Sequence, residues 1–148
     1  MYGRQTEAAI ASVSRLAEVY DDKVLFTASA IARNRNLSQP SVAKVMSVLA
    51  QAGLVEGTPG PGGGFRLAVH PSQITLRDVY VLFEREEPEK IDCPFGGGRC
   101  GGDNPCPLHN SLVEVKDVME RVLNTTTFDE FRVKYNQKKA QDPDSSSL

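Results

Sequence analysis

Tryptophan is absent from this 148-residue chain, aromatic residues make up only 7% of it, and just three cysteines and two histidines occur. So few cysteines, and an odd number of them, exclude a disulfide framework; they point to thiols used for a metal or for redox work in a cytoplasmic protein. No apolar run approaches the roughly 18 residues that a membrane span requires. The opening residues MYGRQTEAAIASV carry Glu7 early and lack a long apolar stretch, which argues against a signal peptide. Strong charge of one sign is missing too: the net charge is −2, not the profile of a nonspecific nucleic-acid binder. What is present is ordinary. Hydrophobic residues at 40% and charged residues at 24% suffice for a real core and exclude disordered or fibrous classes.

The charge divides along the chain. Residues 1–82 hold eight Lys+Arg against six Asp+Glu, a balance of +2, whereas residues 83–148 hold nine against thirteen, a balance of −4. A small positive excess confined to one half suits a sequence-specific DNA module if its basic residues share a face. Glycine divides as well: five of the twelve lie in 57–64 and five in 96–102, so two separate segments need backbone freedom.

Periodicity and capping place the elements. Ala9, Ile10, Val13, Leu16, Ala17 and Tyr20 recur at helical spacing over residues 5–20, and Asp21-Asp22 ends that helix. Thr27 suits the N-cap of a second helix over 28–33. Ser38 caps a third over 39–52, with Pro40 in its first turn and Gly53 past its end. Two such helices joined by a short turn make a helix-turn-helix. The strand candidates Leu54–Glu56 and Phe65–Val69 flank a glycine-rich turn, and a hairpin in that position is a wing. A phosphate-binding loop is excluded because no Lys-Ser or Lys-Thr follows the glycines. Thr75 caps another short helix carrying Val79, Leu82 and Phe83. Further on, Leu108, Leu112, Val115, Met119 and Val122 form an apolar seam two heptads long, which we read as a dimerisation helix rather than an internal core helix. The fold class expected is mainly α with a small β-hairpin: a winged helix-turn-helix over 1–83, a cysteine-rich loop over 84–107, a dimerisation helix and C-terminal element over 108–134, and a flexible tail over 135–148.

All three cysteines fall in one Gly- and Pro-rich segment, Cys93, Cys100 and Cys106, with His109 completing a C-x6-C-x5-C-x2-H pattern. A loop so poor in core formers can wrap an ion or cluster, and thiolates with an imidazole are soft donors for zinc, copper(I) or iron–sulfur. Structural zinc sites bring ligands in tight C-x2–4-C pairs, so the wider gaps favour an iron–sulfur cluster, whose separated irons each need a ligand. A metal-free disulfide switch and a zinc-stabilised module are the alternatives. No enzymatic activity is expected: the other histidine, His70, lies beside Pro71 with no nucleophile or carboxylate suggested around it.

The segment Gly53-Leu54-Val55 followed by Gly60-Pro-Gly-Gly-Gly-Phe-Arg-Leu67, then Ile74-Thr-Leu-Arg-Asp-Val79, the cysteine loop with His109, and Leu123-Asn-Thr-Thr-Thr-Phe128 resemble the IscR/NsrR-type family of bacterial winged-helix iron–sulfur transcription regulators, over roughly residues 5–133. The resemblance implies a cytoplasmic homodimer that binds double-stranded operator DNA through paired third helices and wings. It further implies a cluster on Cys93, Cys100 and Cys106 with a fourth, non-cysteine ligand that responds to redox state, iron supply or nitric oxide. In IscR-like members that ligand corresponds to His109 and the cluster is 2Fe–2S, which we rank first. In NsrR-like members a carboxylate from the partner's first helix completes a 4Fe–4S, and Glu7 falls at about that position. Two departures stand out: the first cysteine gap is six residues rather than five, and Pro59 stands where the family places an arginine. For DNA, the expected contacts are Ser38, Gln39, Pro40, Ser41 and Lys44 early in the third helix, Gly62 and Gly63 of the wing, and Arg66 beside it.

Overall fold

A computed structural model describes residues 2–85, 100, 103 and 105–143. In chain order it contains α1 (Arg4–Glu18), a single-turn helix (Tyr20–Asp22), α2 (Ala28–Arg35), α3 (Gln39–Gln51), β1 (Val55–Thr58), β2 (Gly64–Leu67), a second single-turn helix (Pro71–Gln73), α4 (Leu76–Tyr80), α5 (His109–Thr125) and α6 (Asp129–Gln141).

Local chemistry sets the boundaries of the helix-turn-helix. Thr27 Oγ1 accepts from the Ala30 amide at 3.1 Å, and Ser38 Oγ accepts from the Ser41 amide at 3.3 Å, so both expected caps are made. Between the helices Asn36 adopts φ 55°, and the Leu37 amide reaches back to the Ala32 carbonyl at 2.8 Å; this left-handed residue makes the turn. The end of α3 repeats the device with Gly53 at φ 78°. There the Leu54 amide donates to the Leu49 carbonyl at 3.1 Å and the Gly53 amide to Ala50 at 3.0 Å.

The core forms where three helix faces meet. Val13, Leu16 and Ala17 of α1, Ile31 of α2, and Val42, Val45, Met46 and Leu49 of α3 are all buried, and each large side chain among them stabilises the fold by about 1.5–3 kcal/mol. The hairpin pairs Val55 with Leu67 and Thr58 with Gly64, and its inner residues Val55 and Leu67 close the same core. Phe26 adds a third, one-residue strand: it exchanges both backbone hydrogen bonds with Phe65, at 3.0 and 2.7 Å.

The C-terminal part departs from expectation. Residues 135–148 were expected to be a flexible tail, with fraying from Lys138, but α6 continues to Gln141 and packs on α1. Its sequence has no strong apolar stripe; what holds it is polar. Arg132 Nη1 donates to Asp21 Oδ2 at 3.0 Å, Asn136 Nδ2 to the same oxygen at 2.8 Å, and Lys139 Nζ to Asp22 Oδ1 at 3.3 Å. α1 ends at Glu18, short of the acidic pair expected to end it, and that pair, in the single-turn helix that follows, is the docking point for α6. Tyr135 adds a ring 5.7 Å from the buried Arg15 guanidinium, which also stacks on Phe26 at 5.3 Å.

Among the described residues, the backbone ties of α5 to the winged unit lie at its C-terminal end. Thr75 pairs with Thr127, the Leu76 amide donates to the Thr126 carbonyl at 3.0 Å, and the Phe128 amide donates to Ile74 at 2.9 Å. Phe128 itself is fully buried. Arg77, in α4, bonds both Asn124 at 2.7 Å and Glu120. The end of α5 therefore moves with the winged unit, while its N-terminal end at His109 is far from these ties.

Candidate nucleic-acid face and thiolate site

The third helix buries one face and presents the other. Ser38, Gln39, Pro40, Ser41 and Lys44, the expected DNA contacts, are all exposed and lie opposite the buried Val42, Val45 and Leu49. Ser38 and Ser41 also bond each other through their hydroxyls at 2.6 Å, which keeps the first turn closed. Ser47 is exposed one turn beyond Lys44 and belongs to the same surface. Sequence reasoning passed over it, although its i+3 spacing from Lys44 was the available signal.

The wing's glycines are explained first by the turn itself. Gly60 and Gly62 have φ of 87° and 73°, and a β-carbon at Gly63 would stand 2.1 Å from the Thr58 carbonyl oxygen. A backbone this bare can approach sugar and phosphate closely. Arg66 points to a different use: its Nε pairs with Glu56 Oε2 across the hairpin at 3.1 Å, with both side chains more than half exposed. Such a pair is weak in water and can be exchanged for a phosphate.

Cys100 lies beside both Cys106 and His109. Cys100 Sγ lies 3.2 Å from Cys106 Sγ and 3.3 Å from His109 Nδ1. The sulfur separation exceeds the roughly 2.05 Å of a disulfide, so the two are neighbouring thiols. They sit at the N-terminus of the 17-residue α5, whose first amide, that of His109, donates to the Cys106 carbonyl at 3.0 Å. The positive end of a helix favours the thiolate form. His109 does not cap the helix; the N-cap is Leu108, and the imidazole faces the Cys100 sulfur instead. Cys93 lies outside the described residues, and among the described residues no group of three or more His, Cys, Asp or Glu is arranged to hold a metal ion. The soft sulfur and imidazole donors that are present fit an iron–sulfur cluster or zinc, and suit hard cations poorly.

Glu7 is exposed on the first turn of α1. That turn is held by a residue the sequence did not single out. Glu84 Oε1 accepts from the Gly3 amide at 2.6 Å and from the buried Thr6 hydroxyl at 2.5 Å, serving as the cap that Gly3 lacks. The Thr6 and Gly3 hydrogen bonds hold the Glu84 carboxyl below the usual glutamate range.

Most of the α5 seam is open, although its Leu112 and Met119 are half-buried. Leu108, Val115 and Val122 are 44–54% exposed and Val118 is 48% exposed, whereas Leu123 turns into the fold. Among the described residues no helix is long and apolar enough to cross a membrane.

A helix-turn-helix followed by a two-stranded wing, with the polar face of its second helix open, defines the class of winged-helix DNA-binding proteins. Residues 2–132 match the Rrf2 family, described as an iron-dependent transcriptional regulator, and the chain belongs to that family of DNA-binding transcriptional regulators. An HTH-type transcriptional regulator of Aquifex aeolicus is 34% identical over 99 residues, covering 66% of this chain and 68% of that protein. The regulator BadM of Rhodopseudomonas palustris is 38% identical over 81 residues, covering 55% of this chain and 51% of its own. IscR of Vibrio campbellii is 29% identical over 100 residues, 68% of this chain and 58% of that protein. The chain thus spans about half to two-thirds of the length of these curated relatives. Two solved structures share the fold: CymR, the global cysteine regulator of B. subtilis, at TM-score 0.69 and 21% identity over 90% of this chain and 97% of that one, and T. potens IscR, at TM-score 0.66 and 22% identity over 95% and 90%.

Proposed function

We propose that the chain is a homodimeric regulator that binds operator DNA and reports redox state, iron supply or nitric oxide through an iron–sulfur cluster held by Cys93, Cys100, Cys106 and His109. The observation that supports this reading is that Cys100 Sγ lies 3.2 Å from Cys106 Sγ and 3.3 Å from His109 Nδ1 at the start of α5. When bound, the cluster supplies irons that oxidants and nitric oxide attack. The chain's own contribution is to hold the thiolates at a positive helix end and to present an imidazole as the one non-thiolate donor. Because α5 carries this site at one end and is tied to α4 through Arg77 at the other, a change of ligation has a rigid element along which to reach the winged unit. Glu7, from the partner's α1, is the competing fourth ligand.

A second reading is favoured by the 3.2 Å between Cys100 and Cys106. A peroxide would oxidise the two thiols to one disulfide and itself be reduced to two waters, switching the regulator without a metal.

Native mass spectrometry of protein purified without oxygen, with visible absorption on the same sample, tests the proposal. A dimer carrying iron and sulfide is the expected result, and its added mass reads the cluster type. His109→Ala is expected to lose iron faster than Glu7→Ala; the reverse order assigns the fourth ligand to Glu7. A dimer without iron or sulfide after anaerobic reconstitution overturns the cluster and leaves the thiol switch or a zinc site.

A further inference from the structure

Between the end of α1, the turn Tyr20–Asp22 and the hairpin lies a cavity of about 380 Å³. That is within the range of small-ligand sites, roughly 300–1,000 Å³. Its lining is mixed: Leu16, Val19 and Leu67 are buried behind it, and Val24, 46% exposed, supplies its apolar wall beside the charged rim. The exposed Val24 side chain gains by being covered with a hydrocarbon body.

The charges on the rim are unequal in what they already hold. Asp21 is committed to Arg132 and Asn136, at 3.0 and 2.8 Å. Glu56 and Arg66 hold each other at 3.1 Å. The Lys23 ammonium has no hydrogen bond or ion pair among the described residues. Its backbone is left-handed, φ 53° and ψ 30°, a conformation that side-chain-bearing residues adopt rarely and that marks a turn held by its surroundings. An uncommitted cation beside an exposed valine wall selects an anion with a short apolar body. With Asp21, Glu56 and Arg66 already paired, the rim offers a single uncommitted cation, which suits one negative charge better than the two of a phosphate or dicarboxylate.

We propose that this cavity is a binding site for a small monocarboxylate with a short apolar body, its carboxylate on Lys23 and its hydrocarbon on Val24 and Leu67. The site shares Arg66 with the wing. A bound carboxylate offers that guanidinium a second acceptor beside Glu56, so the ligand and a DNA phosphate compete for it. The inference is independent of the thiolate site, since no residue is common to the two.

Amide chemical shifts of the full-length protein, titrated with hexanoate, 1-hexanol and adipate, test it. Hexanoate is expected to give saturable shifts at Lys23, Val24 and Leu67, with 1-hexanol and adipate each weaker by about tenfold or more. Lys23→Gln should lose affinity for hexanoate to the same degree, and Lys23→Arg should keep it, which separates the charge from the turn. Saturating hexanoate should weaken operator binding in the native protein and leave it unchanged in Lys23→Gln. Equal binding of 1-hexanol, undiminished hexanoate binding by Lys23→Gln, or shifts centred elsewhere would overturn the site. Unchanged DNA affinity with the cavity filled would overturn the competition for Arg66.

Discussion

Gly64 lies so close to Phe26 that a β-carbon on it would stand 2.7 Å from the Phe26 carbonyl carbon. Its φ of 148° is one that side-chain-bearing residues rarely adopt. The glycine thus lets β2 pair with the strand before α2, and the wing is fixed to the helix-turn-helix at that contact. Gly64→Ala should destabilise the protein by about 2–4 kcal/mol and detach the wing. Thermal unfolding with DNA affinity measured alongside checks this; a native melting temperature would show that the backbone relaxes without cost.

Two exposed side chains on α3 should act differently on DNA. Gln39→Ala should lower preference for the operator over unrelated sequence, because an amide can pair bidentately with a base edge. Lys44→Gln should weaken binding to all sequences alike and reduce the salt slope by about 1, as expected for one lost phosphate contact. Fluorescence anisotropy on operator and scrambled duplexes across a salt series distinguishes the two.

The outward seam of α5 predicts dimer loss without unfolding. Val115 and Val118 are 54% and 48% exposed, so Val115→Glu and Val118→Glu remove apolar contact surface while leaving the core intact. Sedimentation velocity should show monomers with the native melting profile at low protein concentration. A dimer that survives both changes would move the interface off this helix.

Acid should loosen the docking of α6 and the cap of α1. Arg132 hydrogen bonds hold Asp21 and Asp129 below the ordinary aspartate value of 3.8, and Thr6 with the Gly3 amide holds Glu84 below 4.5. Because each folded-state pKa lies under the unfolded one, the stabilisation is complete above the unfolded values and is lost as pH falls through the folded ones. Solvent screens these exposed groups, so the total effect is small, on the order of 1 kcal/mol. Urea unfolding at pH 7 and pH 3 reads it, and Arg132→Ala should flatten the difference.

Much of this molecule was legible in its sequence, for a physical reason that can be stated residue by residue. Thr27, Ser38 and Thr75 cap helices through contacts within three residues of themselves, and Gly53 ends α3 through its own φ. The faces of α1, α3 and α5 follow from spacing alone. Asp78 completes a reciprocal cap with Thr75 that the sequence reading did not use, though it too is local. The grouping of Cys100, Cys106 and His109 was likewise visible, since the three lie close together along the chain.

What only the tertiary structure decided depends on partners remote in sequence. No periodicity announces that Asp21 will receive Arg132 and Asn136, so a polar stretch that reads as a frayed tail is instead held in a helix. Nothing local links Glu84 to Gly3 and Thr6, Arg66 to Glu56, or Phe26 to Phe65. Sequence determined the elements, because capping and hydrophobic spacing act over a few residues. The packed chain alone determined which charges meet and where a cavity remains, because those depend on how distant segments come together.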